Sequence, residues 1–383
     1  MNNNILLLVI TTYLVIITFG NLINKYLRLP WMFTVVIYGI FLAAAGLFKD
    51  TFASTNFLFL SQMGMLFFLF TIGVDLDLEK IRQLGKYIIF GNILLTLTVG
   101  LTHGSVFYFF FPEFVNHSFL IALLAGIAFG TVGEVILLAI LKEFGLEKTQ
   151  FGQLALGIGV FDDIFEIGCL ALIVALPSFM QNSATDESWR TSLQIVLILV
   201  SIILAAFIFT KVGTYLRNLL EKLKPYEFSA PFIIFLIIFS FFYFSSINFE
   251  SMSVIAAIFS GIAVQGFLPK NIVDQYRKPI YFIGNMFLGP FFFLSLGNKI
   301  SFDSLLKFPG LILIIVVISI LVRVTVSYLL FNKILGKKQA AVLGVGLCAK
   351  FSTSVISENL LFTSGLIAAP LYSAIMAAFI LLK

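Results

Sequence analysis

Long apolar runs recur along the whole of this 383-residue chain and restrict what it can fold into. Each run has about 15–26 residues and is followed by a short polar gap, and a helix needs about 20 apolar residues to cross a bilayer. Because 60% of the residues are hydrophobic and only 11% are charged, a water-soluble domain could not hide this much apolar surface. The sequence therefore predicts an all-α polytopic membrane protein.

About thirteen transmembrane helices are predicted, one for each apolar run. They lie near residues 5–24, 32–48, 56–74, 87–111, 118–141, 151–177, 190–216, 228–247, 251–267, 280–297, 309–332, 340–361 and 366–382. No gap between them is long enough to form an extramembrane domain, so we expect one membrane domain over residues 1–383. Substrates must then be handled inside the bilayer.

The distribution of Lys and Arg predicts the orientation of the chain. Most of these 24 residues fall in the odd-numbered gaps between the predicted helices. Because cytoplasmic loops carry an excess of Lys and Arg, the N-terminus is predicted outside and the C-terminus in the cytoplasm. Because the basic residues fall in short loops between apolar runs, the net charge of +5 gives no reason to expect nucleic acid, and the expected partner is the lipid bilayer.

Two parts of the sequence recur at nearly the same offset. Residues 68–79 resemble 292–303 at an offset of 224, and glycines and apolar residues within 126–146 recur within 346–366 at an offset of 220. In the predicted topology the loop after the first copy of the 68–79 pattern is cytoplasmic, and the loop after the second is external. The two halves are thus predicted to be inverted repeats, as in many secondary transporters.

Both copies of the second pattern carry polar, poorly helical sequence in the middle of a predicted span. These stretches are Gly130–Glu134 (GTVGE) and Ala349–Ser354 (AKFSTS). Gly and Thr are poor helix formers, and Ser and Thr hydroxyls can bond freed backbone groups. The sequence predicts two interrupted, crossing helices around a binding site, with Glu134 and Lys350 able to offset the half-helix dipoles.

Ionisable residues inside the predicted spans point to the chemistry. A charged side chain in the bilayer costs at least about 2.5–3.5 kcal/mol on insertion scales, so it usually faces a partner or a water-filled cavity. The seven residues predicted inside the membrane are Glu134, Asp162, Asp163, Glu166, Arg323, Lys350 and Glu358. Salt bridges between helices are the structural alternative, above all for Arg323 with an aspartate and for Lys350 and Glu358.

Three of the acids lie within five positions of one predicted helix. Asp163 and Glu166 share a helix face, and Asp162 precedes Glu166 by four residues but points about 100° away from Asp163. Like charges this close cannot all ionise cheaply, so at least one is expected to hold a proton until a cation displaces it. Hard cations prefer oxygen ligands. The cluster therefore predicts cation/proton exchange at Asp162 and Asp163, whereas His103 and His117 are expected to be ordinary interfacial residues.

Three motifs resemble the cation:proton antiporter superfamily, specifically the bacterial Na⁺/H⁺ antiporter branch related to monovalent cation:proton antiporter-2. Residues 68–82 resemble its FxxGxxxDLxxLR segment, and 141–156 resemble its LKELGL…FGQLAL run. Phe161-Asp162-Asp163 resembles its paired-aspartate signature. The resemblance covers nearly the whole chain.

The resemblance implies roles for individual residues. Asp163 would be the main ion-binding and proton-carrying carboxylate, Asp162 its neighbour, and Thr131 would line the site in the first interrupted helix. Arg323 stands where family members carry a basic residue that pairs with the first aspartate. The second interruption departs from the family, because the frequent Arg-Gly-Glu is Lys350-Phe-Ser here. Glu134 and Glu166 stand where small or apolar residues are expected, so their roles stay open, as does that of Glu358.

The resemblance also implies an architecture and a mechanism. A homodimer is expected, in which an ion-transport core moves like an elevator against a dimerisation part. The core would comprise about 56–177 and 280–383, and the dimerisation part about 5–48 and 190–267. Since Arg effectively never deprotonates, Arg323 instead of Lys favours electroneutral exchange.

Together these features predict a Na⁺(Li⁺)/H⁺ antiporter of the inner (plasma) membrane. The transported Na⁺ would bind Asp163 and Asp162, and no cofactor or enzymatic activity is expected. K⁺/H⁺ exchange and a cation-responsive sensor or channel on the same fold stay as alternatives. An intramembrane aspartyl protease is disfavoured, because two residues separate Gly157-x-Gly159 from Asp162.

Overall fold

The computed structural model describes most of the chain. The described residues are 3–27, 29–75, 85–133, 137, 141, 145–146, 149–181, 197, 200–202, 204–205, 207–208, 229–246, 252–268, 270–349 and 353–382. Every regular element within these residues is helical. The prediction of an all-α fold is therefore confirmed.

The helices are numbered here in chain order. They are α1 (Asn3–Val15), α2 (Asn21–Leu27), α3 (Trp31–Ala44), α4 (Thr55–Asp75), α5 (Lys86–Phe110), α6 (Phe119–Gly130), α7 (Gln150–Gln181), α8 (Ser229–Ser246), α9 (Met252–Phe267), α10 (Lys270–Tyr281), α11 (Gly289–Asn298), α12 (Pro309–Leu335), α13 (Lys337–Gly346), α14 (Thr353–Thr363) and α15 (Ala369–Leu381). Two π-helical segments, Ile16–Gly20 and Phe282–Leu288, continue α1 into α2 and α10 into α11. Shorter helical segments are Lys49–Phe52, Pro112–Val115 and Phe302–Lys307.

Many of these helices are apolar enough for a bilayer. Within the described residues five helical stretches have the length and hydropathy to cross a membrane, and shorter apolar helices of 10–17 residues accompany them. The five are Asn4–Leu27, Thr55–Asp75, Ile88–Phe110, Asn271–Asn298 and Pro309–Leu335. The polytopic character is confirmed, whereas the count of thirteen spans and the orientation of the termini stay predictions.

The chain divides into two compact units. Unit 1 comprises 1–39, 46–76 and 174–297, and unit 2 comprises 40–45, 77–173 and 298–383. Both units combine segments from the two halves of the sequence. Which segments move and which dimerise stays a prediction.

In unit 1, two close helix contacts are made by glycines at equivalent positions of the repeat. A methyl group on Gly73 of α4 would overlap the carbonyl oxygen of Ile258 in α9, and one on Gly297 of α11 would overlap that of Val36 in α3. Gly73 and Gly297 are 224 positions apart, and their partners are 222 apart. Each repeat therefore packs its glycine against the other repeat, and only a residue without a side chain allows backbones this close.

Residues at the same offset also contact each other in unit 1. The rings of Phe68 and Phe292 have their centroids 6.5 Å apart, and a methyl group on Gly64 would overlap the carbonyl oxygen of Leu288. Both pairs are 224 positions apart. A residue meets its own counterpart only near an axis of two-fold symmetry. The packing therefore supports the repeat predicted from the sequence.

Unit 2 shows the second repeat pattern in its helix ends. Gly145 and Gly365 have φ angles of 64° and 69°, a left-handed conformation that favours glycine. The leucine after each glycine donates its N–H to the carbonyl five residues earlier, at 2.8 Å in the first copy and 2.9 Å in the second. Both copies thus end in the same Schellman-type cap, 220 residues apart.

Two interrupted helices meet inside unit 2. In the first, α6 ends at Gly130 and Thr131 is extended, with φ −78° and ψ 167°. In the second, α13 ends at Gly346 and α14 begins at Thr353. The Gly133 N–H donates to the Ala349 carbonyl at 2.9 Å, so the interruptions hydrogen-bond each other. The predicted pair of interrupted helices is therefore present.

An apolar cluster holds the interruptions in place. It is built from buried side chains of α5, α7, α12 and α13 together with residues beside both interruptions: Leu95, Val132, Leu137, Leu141, Leu154, Ala155, Ile158, Phe331, Ala340, Leu343 and Leu347. Because such clusters are close-packed, the polar backbone of the interruptions is kept at a fixed place between the helices.

One histidine lies elsewhere than expected. His117 is exposed, in keeping with an interfacial position. His103 of α5 is fully buried, so its predicted interfacial position is wrong. Its Nδ1 lies 2.9 Å from the Val99 carbonyl oxygen and its Nε2 lies 3.2 Å from the Ile315 carbonyl oxygen. Carbonyl oxygens only accept, so a neutral imidazole donates its single N–H to one of the two, in an interior that the apolar context alone did not reveal.

Candidate ion-binding site

Asp162 is a buried acid of unit 2 that accepts several hydrogen bonds. It lies on α7, is fully buried, and its Oδ1 accepts hydrogen bonds from Asn92 Nδ2 at 2.7 Å and from Thr96 Oγ1 at 3.1 Å. Its Oδ2 accepts one from the backbone N–H of Val132 in the first interruption. Asn92 and Thr96 are four residues apart on α5, which places both side chains on one helix face. These three donors give the buried carboxylate hydrogen-bond partners in an apolar interior.

Arg323 joins the ends of the two half-helices. It lies on α12, is 1% exposed, and its guanidinium donates to the carbonyls of Thr131 at 3.0 Å, Gly130 and Leu347. These carbonyls lie at the C-terminal ends of α6 and α13, where the helix dipole is negative. The planar guanidinium spreads five N–H donors over three nitrogens in a fixed geometry, so it can reach carbonyls that lie apart, whereas the donors of a lysine all radiate from one nitrogen. The positive charge of Arg323 therefore offsets the negative dipole ends of both α6 and α13.

A single peptide unit links the buried cation to the buried acid. The Thr131 carbonyl accepts from Arg323, and the N–H of Val132, which belongs to the same peptide bond, donates to Asp162. In a trans peptide the C=O and N–H point to opposite sides. Arg323 and Asp162 thus lie on opposite sides of the first interruption and polarise the same peptide, which strengthens both hydrogen bonds.

Glu166 reaches the second interruption. It is 1% exposed and lies one helical turn after Asp162 on α7. Its Oε2 accepts a hydrogen bond from the Thr353 hydroxyl at the first residue of α14. Asp162 and Glu166 of α7 therefore contact one interruption each, Asp162 the first and Glu166 the second. A carboxylate near the first turn of a helix also gains from the positive end of the dipole.

The structure describes some of the other predicted site residues and leaves others outside the described part of the chain. Thr131 is buried and its hydroxyl donates to the Ala128 carbonyl at 3.0 Å, so its peptide rather than its hydroxyl faces Arg323. Glu358 is buried in α14. Asp163 lies within α7, but its side chain is outside the described residues, as are Glu134 and Lys350 entirely.

Asn92 and Thr96 were missed from the sequence. Their spacing of four in the apolar α5 was the available signal, since it places two polar side chains on one face. Thr98 and Thr102 on the same helix weaken that signal, because their hydroxyls bond the carbonyls four residues back, at 2.6 and 2.7 Å. Only the position of α7 shows that Thr96 donates to another helix.

The fold and this site define a class of protein. Two interrupted helices joined at their breaks, with buried carboxylates and a guanidinium beside them, are the arrangement of membrane transporters that bind ions between repeats. The chain matches the family described as "Sodium/hydrogen exchanger, transmembrane" over residues 10–382. It therefore belongs to the sodium/hydrogen exchanger family, within the cation:proton antiporter superfamily.

Similar proteins agree with this placement. The chain is 26% identical over 378 residues to a Na⁺/H⁺ antiporter of Enterococcus hirae, covering 96% of this chain and 92% of the relative. It is 28% identical over 330 residues to the Na⁺/H⁺-K⁺ antiporter GerN of Bacillus cereus, covering 84% and 79%. The sodium proton antiporter MjNhaP1 of Methanocaldococcus jannaschii has the same fold, with a TM-score of 0.65 at 14% identity over 98% of this chain and 94% of that chain.

Proposed function

We propose that this protein exchanges Na⁺ or Li⁺ for H⁺, with cation and proton competing for the Asp162/Asp163 pair. The observation that carries the proposal is the buried Asp162 carboxylate, held by Asn92, Thr96 and the Val132 N–H at the meeting point of the interrupted helices. Membership of the sodium/hydrogen exchanger family supports it.

The two aspartates would divide the work. Asp162 accepts three hydrogen bonds, which fix its position at the first interruption. Asp163 is the next residue on α7 and, by the family resemblance, the carboxylate that alternately holds the proton and the cation. Because two adjacent carboxylates cannot both ionise cheaply without a cation nearby, binding of one ion releases the other. Exclusive binding of this kind produces exchange.

Arg323 would set the charge balance of the exchange. Its guanidinium is committed to three backbone carbonyls and, as an arginine, does not release a proton at physiological pH. One proton would then leave for each monovalent cation that binds, and the exchange would be electroneutral. A sustained Na⁺-dependent current through wild-type protein on a solid-supported membrane would disprove this stoichiometry.

The architecture would serve alternating access. We place the protein in the inner (plasma) membrane as a homodimer with an external N-terminus. The transport core, about 56–177 and 280–383, would move like an elevator against a dimerisation part, about 5–48 and 190–267. Thr131 would line the site from the first interrupted helix, while Lys350, Glu134 and Glu358 would add charge beside the interruptions.

Proteoliposomes with a preset pH gradient test this function. Addition of Na⁺ or Li⁺ to wild-type vesicles should dissipate the gradient quickly, and Asp163→Asn should abolish the response. Asp303→Asn is the matched control, because Asp303 is an exposed acid in the segment Phe302–Lys307. Exchange that persists in Asp163→Asn would refute the assignment.

K⁺/H⁺ exchange is the second candidate. The name of one relative, the Na⁺/H⁺-K⁺ antiporter GerN, includes potassium. A response to K⁺ alone in the same vesicles would establish this alternative. A cation flux without proton counter-transport would instead indicate a channel or sensor on this fold.

A further inference from the structure

The side-chain amide of Asn92 has one end satisfied and one end not. Its Nδ2 donates to Asp162 Oδ1 at 2.7 Å and to the Ile158 carbonyl at 3.2 Å, both through contacts with α7. The residue is fully buried. Its Oδ1 accepts no hydrogen bond from the described part of the chain.

Chemistry fixes which end of the amide is which. Both groups near the nitrogen, a carboxylate and a carbonyl, are acceptors, so only the NH₂ end can face them. A flipped amide would place its oxygen against two other oxygens and leave the NH₂ without these acceptors. The unsatisfied atom is therefore a carbonyl-type oxygen.

A buried oxygen without a donor calls for a ligand of its own. Buried acceptors normally have hydrogen-bond partners, because desolvation without a partner is costly. Nδ2 and Oδ1 are bonded to the same carbon, so the oxygen lies one bond angle away from the atom that contacts Asp162. A cation that binds the carboxylate can therefore meet this oxygen as well.

We propose that Oδ1 of Asn92 is a ligand of the transported monovalent cation, beside the Asp162 carboxylate. This inference rests on the proposed cation/proton exchange. A neutral amide oxygen replaces part of the hydration shell without changing the charge of the site, as carbonyl oxygens do in ion-selective pores. Asn92 thus contributes to the choice among cations of different size, whereas Asp162 and Asp163 supply the charge.

Paired variants separate a cation ligand from a residue that only positions Asp162. Asn92→Leu keeps the size of the side chain but removes both the amide donor and the orphaned oxygen. Thr96→Val removes a donor to the same Asp162 Oδ1 and leaves Asn92 in place. The readout is the concentration of Na⁺, Li⁺ and K⁺ that gives half-maximal dissipation of a pH gradient in proteoliposomes.

Asn92→Leu is expected to raise the half-maximal Na⁺ concentration by about tenfold. It is also expected to change the ratio between the half-maximal concentrations of Na⁺ and Li⁺. Thr96→Val is expected to raise the half-maximal concentrations of all three ions by a common factor and to leave the ratio between the Na⁺ and Li⁺ values unchanged. If Asn92→Leu also raises the half-maximal concentrations of all three ions by one common factor, Asn92 only positions the Asp162 carboxylate and the inference is overturned. Asn92→Ser, with a smaller side chain, gives the same comparison where the leucine variant does not fold.

Binding without transport gives an independent reading. Na⁺ should raise the melting temperature of the purified wild-type protein above that in choline chloride, and this gain should shrink in Asn92→Ser. An equal gain in both proteins would overturn the role of Asn92 while leaving the antiporter proposal intact. Wild-type vesicles that exchange no cation would instead overturn the proposed function and this inference together.

Discussion

Replacing Arg323 with glutamine tests how strongly its guanidinium holds the two interruptions together. The change removes a buried charge and leaves the carbonyls of Gly130, Thr131 and Leu347 without their guanidinium donors. Removing one partner of a buried charged arrangement costs about 3–5 kcal/mol. With an unfolding entropy of ~2.1 cal/mol/K for each of 383 residues, the melting temperature should fall by about 4–6 °C.

Two further variants calibrate this effect. Arg277 is an arginine in an exposed ion pair, with its Nε 3.3 Å from Asp75 Oδ1 and side chains 47% and 53% exposed. Exposed pairs contribute about 1 kcal/mol or less, so Arg277→Gln should lower the melting temperature by about 1 °C at most. Arg323→Lys keeps the charge, but the ammonium has one nitrogen where the guanidinium uses two to reach these carbonyls, so the loss of stability should be intermediate.

The assay is thermal melting of the purified proteins in one detergent, followed by intrinsic fluorescence. The order expected is wild type and Arg277→Gln close together, then Arg323→Lys, then Arg323→Gln. If Arg323→Gln melts with Arg277→Gln, the guanidinium does not hold the half-helix ends and the reasoning fails. Exchange activity in the same samples shows whether lost stability and lost function coincide.

Two other perturbations follow from packing and burial. Gly73→Ala and Gly297→Ala should each lower stability by about 1–3 kcal/mol, because the methyl group overlaps a backbone carbonyl. Gly168→Ala in α7 is the control and should not lower stability in this way, because a methyl group there meets open space. Equal melting temperatures of all three variants would contradict this packing. Lys299, which directly follows α11, donates to Asn359 Oδ1 at 3.0 Å, and burial lowers its pKa from the ordinary 10.5 to about 8. The unfolded chain binds more protons between pH 8 and 10.5, so wild-type stability should rise with pH across that window, and Lys299→Met should lose this rise when melting is compared at pH 8 and 10.5.

The sequence contained the repeat because glycines report on backbone contacts. Gly73 and Gly297 are visible in the chain, and their conformational role follows from the absence of a side chain. Gly145 and Gly365 likewise precede leucines at a constant offset, and the structure shows the same cap at both. The role of these glycines follows from the residue type itself, so their spacing in the sequence was sufficient to predict the repeat.

The ligands around Asp162 could not be identified in the same way. Thr96 looks in sequence like Thr98 and Thr102, whose hydroxyls bond their own helix backbone. The partners of Arg323 are carbonyls that become free only because two distant helices break at the same place. Which polar side chain serves its own helix and which serves another depends on tertiary packing.

The paired glycine contacts of unit 1 also bear on how the chain is made. Neither contact is complete within one repeat, since Gly73 needs Ile258 and Val36 needs Gly297. The Val36 contact waits for a residue about 260 positions later, which at ~5–20 residues per second of synthesis is on the order of 10–50 s. During that time the backbone of α3 at Val36 lacks its partner helix α11. A single repeat could complete both contacts only with a second copy of itself in the opposite orientation.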